Sequence, residues 1–251
     1  MSAYEEITAL DGRRVEVSLP RMPLIEDLTK GPLPAGSNIL VEFDPSSHWY
    51  NASLTVAGGW LRTGGSVSYV AHSQSPEDVR SQLRSLGLDV ERLEREDRLW
   101  ITDLYSASVG QKSKEKFTPE SLKVADLSIW IAREAMADSP APEFLVVADN
   151  GSILDRFNEE KNWVDLYLTR PIPMGKSRQL TQIMAFMSGV HSNWAYKQLE
   201  AAVDGVVDFK LDEASDPVQN LIRIRSLRKV GFDGRWHRLK CAENLEVTIE
   251  K

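Results

Sequence analysis

The sequence predicts an α/β fold: a mostly parallel central sheet between helical layers, with an N-terminal β-hairpin and antiparallel strands added at one edge. Three observations carry that prediction. Short apolar runs such as NILVEF, VSYVA and FLVVA alternate with amphipathic segments, the pattern of strands joined by crossover helices. From Val206 onward no helical segment intervenes, and VVDFKL, LIRIRSL, WHRLK and LEVTIE follow one another. The 251 residues are 42% hydrophobic and 27% charged, enough to fill one large core.

Taken in order, ITAL, Asp11-Gly12 and RRVEVSL read as a hairpin around an Asp-Gly turn. Residues 1–20 are therefore expected to form a β accessory element and residues 21–251 the main domain. Four prolines (20, 23, 32 and 34) punctuate the approach to the first buried strand, Asn38–Phe43. Asn51–Arg62 has a helical pattern interrupted by Gly58-Gly59. Each glycine costs about 1 kcal/mol relative to alanine in a helix interior, so the pair implies close packing or an early end. SPEDVRSQLRSLG carries a Ser75-x-x-Asp78 capping box, Pro76 in the first turn and Gly87 as terminator.

A second short helix, DVERLERE, precedes the strand Leu99–Tyr105, and SASVGQKSKEKF reads as an exposed loop. A helix is expected to begin at Thr118-Pro119-Glu120 and bury Leu122, Ala125, Ile129, Ala132 and Met136 on one stripe. FLVVA is a buried strand leading into Asp149. Asn158–Leu168 reads as a helix stopped by Pro171 and Pro173, with QIMAFMS the next strand and NWAYKQLEAAVDG the last helix.

Composition narrows the function. A net charge of −7 argues against broad electrostatic binding to nucleic acid or anionic membrane. No apolar run approaches the roughly 20 residues of a membrane span, and the N-terminus lacks the layout of a signal peptide. A single cysteine and four scattered histidines give no multi-cysteine or HExxH-type metal site. The expectation is a cytoplasmic, metal-free protein.

KGPLPAGSNILVE, VSYVAHSQSPEDVRSQLRSLGLDVERLEREDRLWITDLYS, AAVDGVVDFKL and LIRIRSLRKV together resemble the KaiC-like branch of the RecA superfamily of ATPases. The resemblance runs from about Arg21 to about Ile249, in order and at compatible spacings. It implies a RecA-like three-layer sandwich, assembled into rings or filaments with nucleotide between subunits. The family is common in archaea.

The family's functional positions transfer poorly. Its phosphate loop, roughly GEPGTGKTT, falls without gaps on Phe43 to Asn51. The proline is kept as Pro45. The glycines become Phe43, Ser46 and His48, the lysine becomes Trp49, and the magnesium-binding hydroxyl becomes Tyr50; Ser47 lies between. A phosphate cradle needs glycines so that consecutive N–H groups can wrap the anion, and a lysine to neutralise it. The paired glutamates that position water fall on Ser73 and Gln74, which are not carboxylate bases. A lysine contributed to a neighbour's ATP falls on Ser226, whereas the adjacent arginine is matched by Arg228. Asp149 keeps the family's magnesium-associated aspartate.

The resemblance therefore implies a degenerate nucleotide site at Pro45, Ser46, Ser47, His48, Trp49, Tyr50 and Asp149, with no catalytic residue and no ATP or magnesium as cofactor. His48, Trp49 and Tyr50 are expected to plug the old cleft, the alternatives being a base-stacking platform or an interface anchor. Asp149 is equally compatible with hydrogen-bonding backbone amides. His72, just past a strand, is not expected to be catalytic. The GKS string at Gly175–Ser177 lacks the upstream glycine and strand of a phosphate loop and is expected to be a turn.

From Leu221 to Lys240 seven basic residues face one acidic residue. Arg223, Arg225, Arg228 and Lys229 are accordingly the candidates for an interface or for anion binding. The expected role is a non-catalytic regulatory or scaffolding subunit that self-associates or pairs with an active KaiC-like paralogue. The alternatives are a recombinase-like accessory protein for single-stranded DNA and, more weakly, residual nucleotide binding without normal hydrolysis.

Overall fold

A computed structural model describes residues 4–8, 14–18, 20–133 and 143–250. Its strands are β1 (Tyr4–Thr8), β2 (Arg14–Ser18), β3 (Asn38–Phe43), β4 (Ser66–Ala71), β5 (Leu99–Asp103), β6 (Phe144–Ala148), β7 (Thr181–Met187), β8 (Gly205–Asp212), β9 (Gln219–Leu227), β10 (His237–Cys241) and β11 (Val247–Ile249). Its helices are α1 (Trp49–Arg62), α2 (Pro76–Ser85), α3 (Val90–Arg95), α4 (Tyr105–Ser108), α5 (Val124–Arg133), α6 (Glu160–Thr169), α7 (Pro171–Arg178) and α8 (Asn193–Ala202).

β1 and β2 pair antiparallel, Tyr4 opposite Ser18 and Thr8 opposite Arg14. The Asp11-Gly12 turn expected between them lies outside the described residues. The other strands form one sheet in the order β11-β10-β9-β8-β3-β7-β6-β4-β5. The six from β8 to β5 run parallel, and β9, β10 and β11 add antiparallel beside β8.

Both faces of this sheet are covered, as parallel strands require. On one face β3, β4 and β5 pack with α1, α2 and α3 around Trp49, Tyr69 and Leu83. On the other, β3 and β7 pack with α6, α7 and α8 around Trp163, Phe186 and Leu199. Strand alternation assigns each side chain: in β4, Val67 and Tyr69 join the α1 side, whereas Val70 packs on the other. The Ser75 capping box of α2 is present with both of its hydrogen bonds.

The glycine pair in α1 marks close packing. The helix continues to Arg62, and a Cβ on Gly59 would lie 2.5 Å from the Pro23 ring.

Three expectations need correction. The first concerns α5, which starts at Val124 rather than near Thr118. Thr118 Oγ1 instead donates to the Asp103 carbonyl, and Phe117 bridges to Thr102 alongside β5. The Val124 N–H is received by the Asn158 side chain at 2.7 Å. This shifts the helix so that Leu127 is buried while Ala125, Ile129 and Ala132 face solvent, Ile129 at 55% exposure. Met136 lies outside the described residues.

The second concerns Pro171, which opens α7 as its first residue, where a missing N–H costs nothing. Gly175–Ser177 is therefore helix and not a turn. Lys176 Nζ donates to the Ala202 carbonyl at the end of α8, and a Cβ on Gly175 would collide with Gln182.

The third correction is at the end of β5. The strand stops at Asp103, whose carboxylate receives the Ser106 N–H at 2.9 Å and so turns Tyr105 into α4. The segment after α4 is pinned rather than free: Ser113 Oγ donates to Asp103, and Glu115 pairs with Arg80 at 2.7 Å.

Candidate functional site: the junction between β3 and α1

The loop after β3 closes on itself. Asp44 accepts the Ser46 N–H on Oδ1 at 2.8 Å, and its carbonyl accepts the Ser47 N–H and hydroxyl at 2.9 and 2.6 Å. His48 donates its N–H to Asn220 Oδ1 of β9 at 2.8 Å, which ties the loop to the antiparallel strands. Burial lowers the pKa of the His48 ring.

Trp49, the first residue of α1, is 0% exposed. Its indole meets Phe209 of β8 edge-on at 5.2 Å and Phe43 at 6.0 Å. The indole N–H donates to the Asp149 carbonyl at 2.7 Å, so its polar atom is satisfied without water. The aromatic cluster continues to Tyr50, which meets Phe43 edge-on at 5.5 Å.

Tyr50 turns its hydroxyl toward Ser73 Oγ at 3.3 Å, and Asn150 Nδ2 donates to both, at 3.3 Å to Tyr50 and 3.0 Å to Ser73. Burial raises the Tyr50 pKa, keeping the phenol un-ionised. Gln74 reaches the Tyr69 hydroxyl and receives Gln82. Ser73 and Gln74 thus join a network of neutral side chains.

Asp149 is 0% exposed. Its Oδ1 accepts the His72 N–H at 2.8 Å and its Oδ2 accepts the Ser73 N–H at 3.4 Å. His72 Nδ1 lies 3.2 Å from Oδ1. The backbone-binding use of this aspartate is therefore realised. Outside this buried cluster runs an open polar groove lined by Tyr50, Asn51, Ser73, Gln74, Asp78 and Tyr105, among others, and among the described residues no lysine, arginine or histidine lines it.

The site thus unites Trp49, Tyr50, Ser73 and Asp149, which sequence reasoning had singled out, with Asn150, Phe209 and Asn220, which it had not. Asn150 carried a faint signal, as a second polar residue after a buried strand. Phe209 and Asn220 carried none, since they arrive from β8 and β9.

The basic candidates lie elsewhere, on β9 and just beyond, and each meets a partner within the chain. Arg223 pairs with Asp208 at 2.7 Å and stacks over Trp236 at 4.4 Å. Arg225 pairs with Glu42 as well as with Glu200 and Asp208, the last two both at 3.1 Å. Burial raises the Glu42 pKa, and Arg225 opposes that shift. Arg228 donates to the Ala201 carbonyl, and Lys229 lies 3.5 Å from Asp204. Among the described residues no group of three His, Cys, Asp or Glu side chains could hold a metal ion, and no helix is long and apolar enough to cross a membrane.

Solved structures place this architecture among RecA-like folds. A KaiC-like protein from Pyrococcus horikoshii superposes with a TM-score of 0.69 at 17% identity, covering 95% of this chain and 99% of that one. The flagellar accessory protein FlaH from Methanocaldococcus jannaschii superposes with a TM-score of 0.71 at 13% identity, covering 93% and 100%.

The family described as "ATPase: KaiC" matches residues 24–250, and the chain belongs to it. A UPF0273 protein from Pyrococcus furiosus is 24% identical over 90% of this chain and 89% of its own length. Another, from Thermotoga maritima, is 22% identical over 90% and 91%.

Proposed function

We propose that this KaiC-family chain is a non-catalytic member that serves as a regulatory or scaffolding subunit, through self-association or by pairing with an active paralogue. The single observation that carries this reading is Trp49. The position of the family's lysine holds an indole that is fully buried between Phe43 and Phe209 and bonded to the Asp149 carbonyl. A lysine there would supply charge to a phosphate; the indole supplies none. Among the described residues the adjoining groove has no basic lining residue and includes a carboxylate, Asp78, and Asp149 is engaged by two backbone amides. Nucleoside triphosphate and magnesium do not fit these residues.

A thermal-shift titration with ATP, with and without magnesium, tests the non-catalytic half. A ligand bound only by the native state raises Tm, and the expected result is no shift. A saturable rise would overturn it. Light scattering, alone and with KaiC-like paralogues, tests the scaffolding half, and a strict monomer without a partner would remove it. The single-stranded DNA alternative gains little support, because Arg223 and Arg225 are already paired with Asp208, Glu42 and Glu200. It still predicts salt-sensitive binding that Arg223→Glu and Arg225→Glu weaken.

A further inference from the structure

We propose that the loop between β7 and α8 carries a proton-operated latch, in which neutral His191 holds residues 188–192 against the helical turn after β6 and acid releases them. Three side chains from outside the loop tie it down. Ser152, in the turn Gly151–Arg156, accepts the Met187 N–H at 2.8 Å and lies 2.8 Å from His191 Nε2. One hydroxyl thus holds both ends of the loop. Tyr196 of α8 does the same, accepting the His191 N–H at 3.4 Å and donating to the Met187 carbonyl. Glu160 of α6 accepts the Ser192 N–H at 2.8 Å.

Of these groups only the imidazole changes charge near neutral pH in its ordinary state. The His191 side chain is 2% exposed, with its ring 4.8 Å from Trp163 and 5.7 Å from Tyr196. Its Nδ1 is buried and has no hydrogen-bond partner among the described residues. That atom lies 3.9 Å from Glu160 Oε1 and 4.0 Å from Asp155 Oδ1. Two carboxylates on that side favour a proton on Nδ1, which leaves Nε2 to accept from the Ser152 hydroxyl. The titratable groups facing the ring are thus Asp155 from the turn, Glu160 from α6 and Tyr196 from α8.

Acid adds its proton at Nε2, so the atom that accepts from Ser152 becomes a donor. The serine hydroxyl must then turn its hydrogen away, and Ser152 is itself buried, so a buried donor loses its partner. Burial also penalises the imidazolium, and Asp155, 45% exposed, is screened by water in opposing that cost. Burial accordingly lowers the His191 pKa, against the raising influence of Asp155 and Glu160. A ring released to water takes up its proton at about pH 6.5, the latched ring only at lower pH. The latch is therefore at full strength above about pH 6.5 and weakens as the pH falls toward the latched pKa. Its other members hold their charge in that window. Burial raises the Glu160 pKa, but the bonds from Ser192 outweigh it and keep the carboxyl below its ordinary value; burial raises Tyr196. Val190 in the loop and Trp194 just after it are 52% and 43% exposed, so the latch sets the position of an exposed apolar pair.

The test is NMR of the full chain between about pH 5 and 8, following the His191 ring signals together with amide exchange of Ser188, His191 and Ser192. These amides are bonded to the Phe43 carbonyl, Tyr196 and Glu160, and exchange corrected for its intrinsic rate reports how often the loop opens. His191 is expected to titrate below about 6.5, and opening should increase about threefold or more from pH 7.5 to 5.5. His191→Gln keeps an acceptor for Ser152 without a titrating group and should make opening independent of pH. Asp155→Asn keeps an acceptor for the Trp163 indole N–H, removes one charge and should lower the His191 pKa further. The proposal is overturned if His191 titrates at or above about 6.5, or if loop exchange is flat across this range. It is equally overturned if His191→Gln retains the pH dependence or Asp155→Asn leaves the His191 pKa unchanged.

Discussion

Two regions on opposite faces of the central sheet hold their aromatic residues in opposite ways. At the β3–α1 junction the polar side-chain atoms of Trp49 and Tyr50 both find partners, Trp49 packs against Phe43 and Phe209, and Tyr50 packs against Phe43. Across the sheet, Trp130 is held over a void with its indole N–H unpaired. The sealed region is the one where family members would bind nucleotide. The protein thus has packed core where β3 meets α1 and a pocket on the other face of its sheet.

The largest test of this contrast is Trp49→Ala. Removing a fully buried, hydrogen-bonded indole should cost about 4 kcal/mol, measured as a lower urea midpoint with little change in slope. Trp49→Lys should destabilise comparably and produce no ATP hydrolysis, because no cradle surrounds the new charge. A stable Trp49→Lys variant that hydrolyses ATP would break the comparison.

Asp149→Ala comes next. It removes the acceptor of two backbone amides, each hydrogen bond to a charged group being worth roughly 1.5–3 kcal/mol, so a loss of about 3 kcal/mol in chemical denaturation is expected. Tyr50→Phe removes one hydroxyl from the network with Ser73 and Asn150 and should cost about 1 kcal/mol. Trp130→Phe should change stability least, by about 0.5 kcal/mol or less, because it deletes a donor that bonds to nothing. A loss as large as that of Tyr50→Phe would mean the two regions are equally satisfied.

Much of this was legible in the sequence because local signals agreed. The parallel strands, the Ser75 box and the Trp49 substitution all lie in short, strongly patterned stretches. What stayed hidden depends on residues far apart in the chain. The solvent-facing stripe of α5 follows from a cap supplied by Asn158, more than thirty residues ahead. The basic run from Leu221 to Lys240 looked unbalanced only because its acids, Glu42, Glu200 and Asp208, belong to other elements. Pro171 reads as a stop in the sequence because proline both ends and begins helices, and only the packing of α7 decides which. The cavity has no sequence signature, since it arises from which sides of four strands face the same helices.

The bridge between Thr102 and Phe117 has a consequence for how copies of this protein can meet. A sheet grows by recruiting a strand at an exposed rim. Here one rim, β5, is partly occupied by the chain's own Phe117, and the other, β11, is only three residues long. Neither margin offers a long template, so the sheet is poorly suited to polymerise through its backbone. An assembly of this chain is therefore not expected to form by extending this sheet, and point substitutions of surface side chains should be able to take one apart.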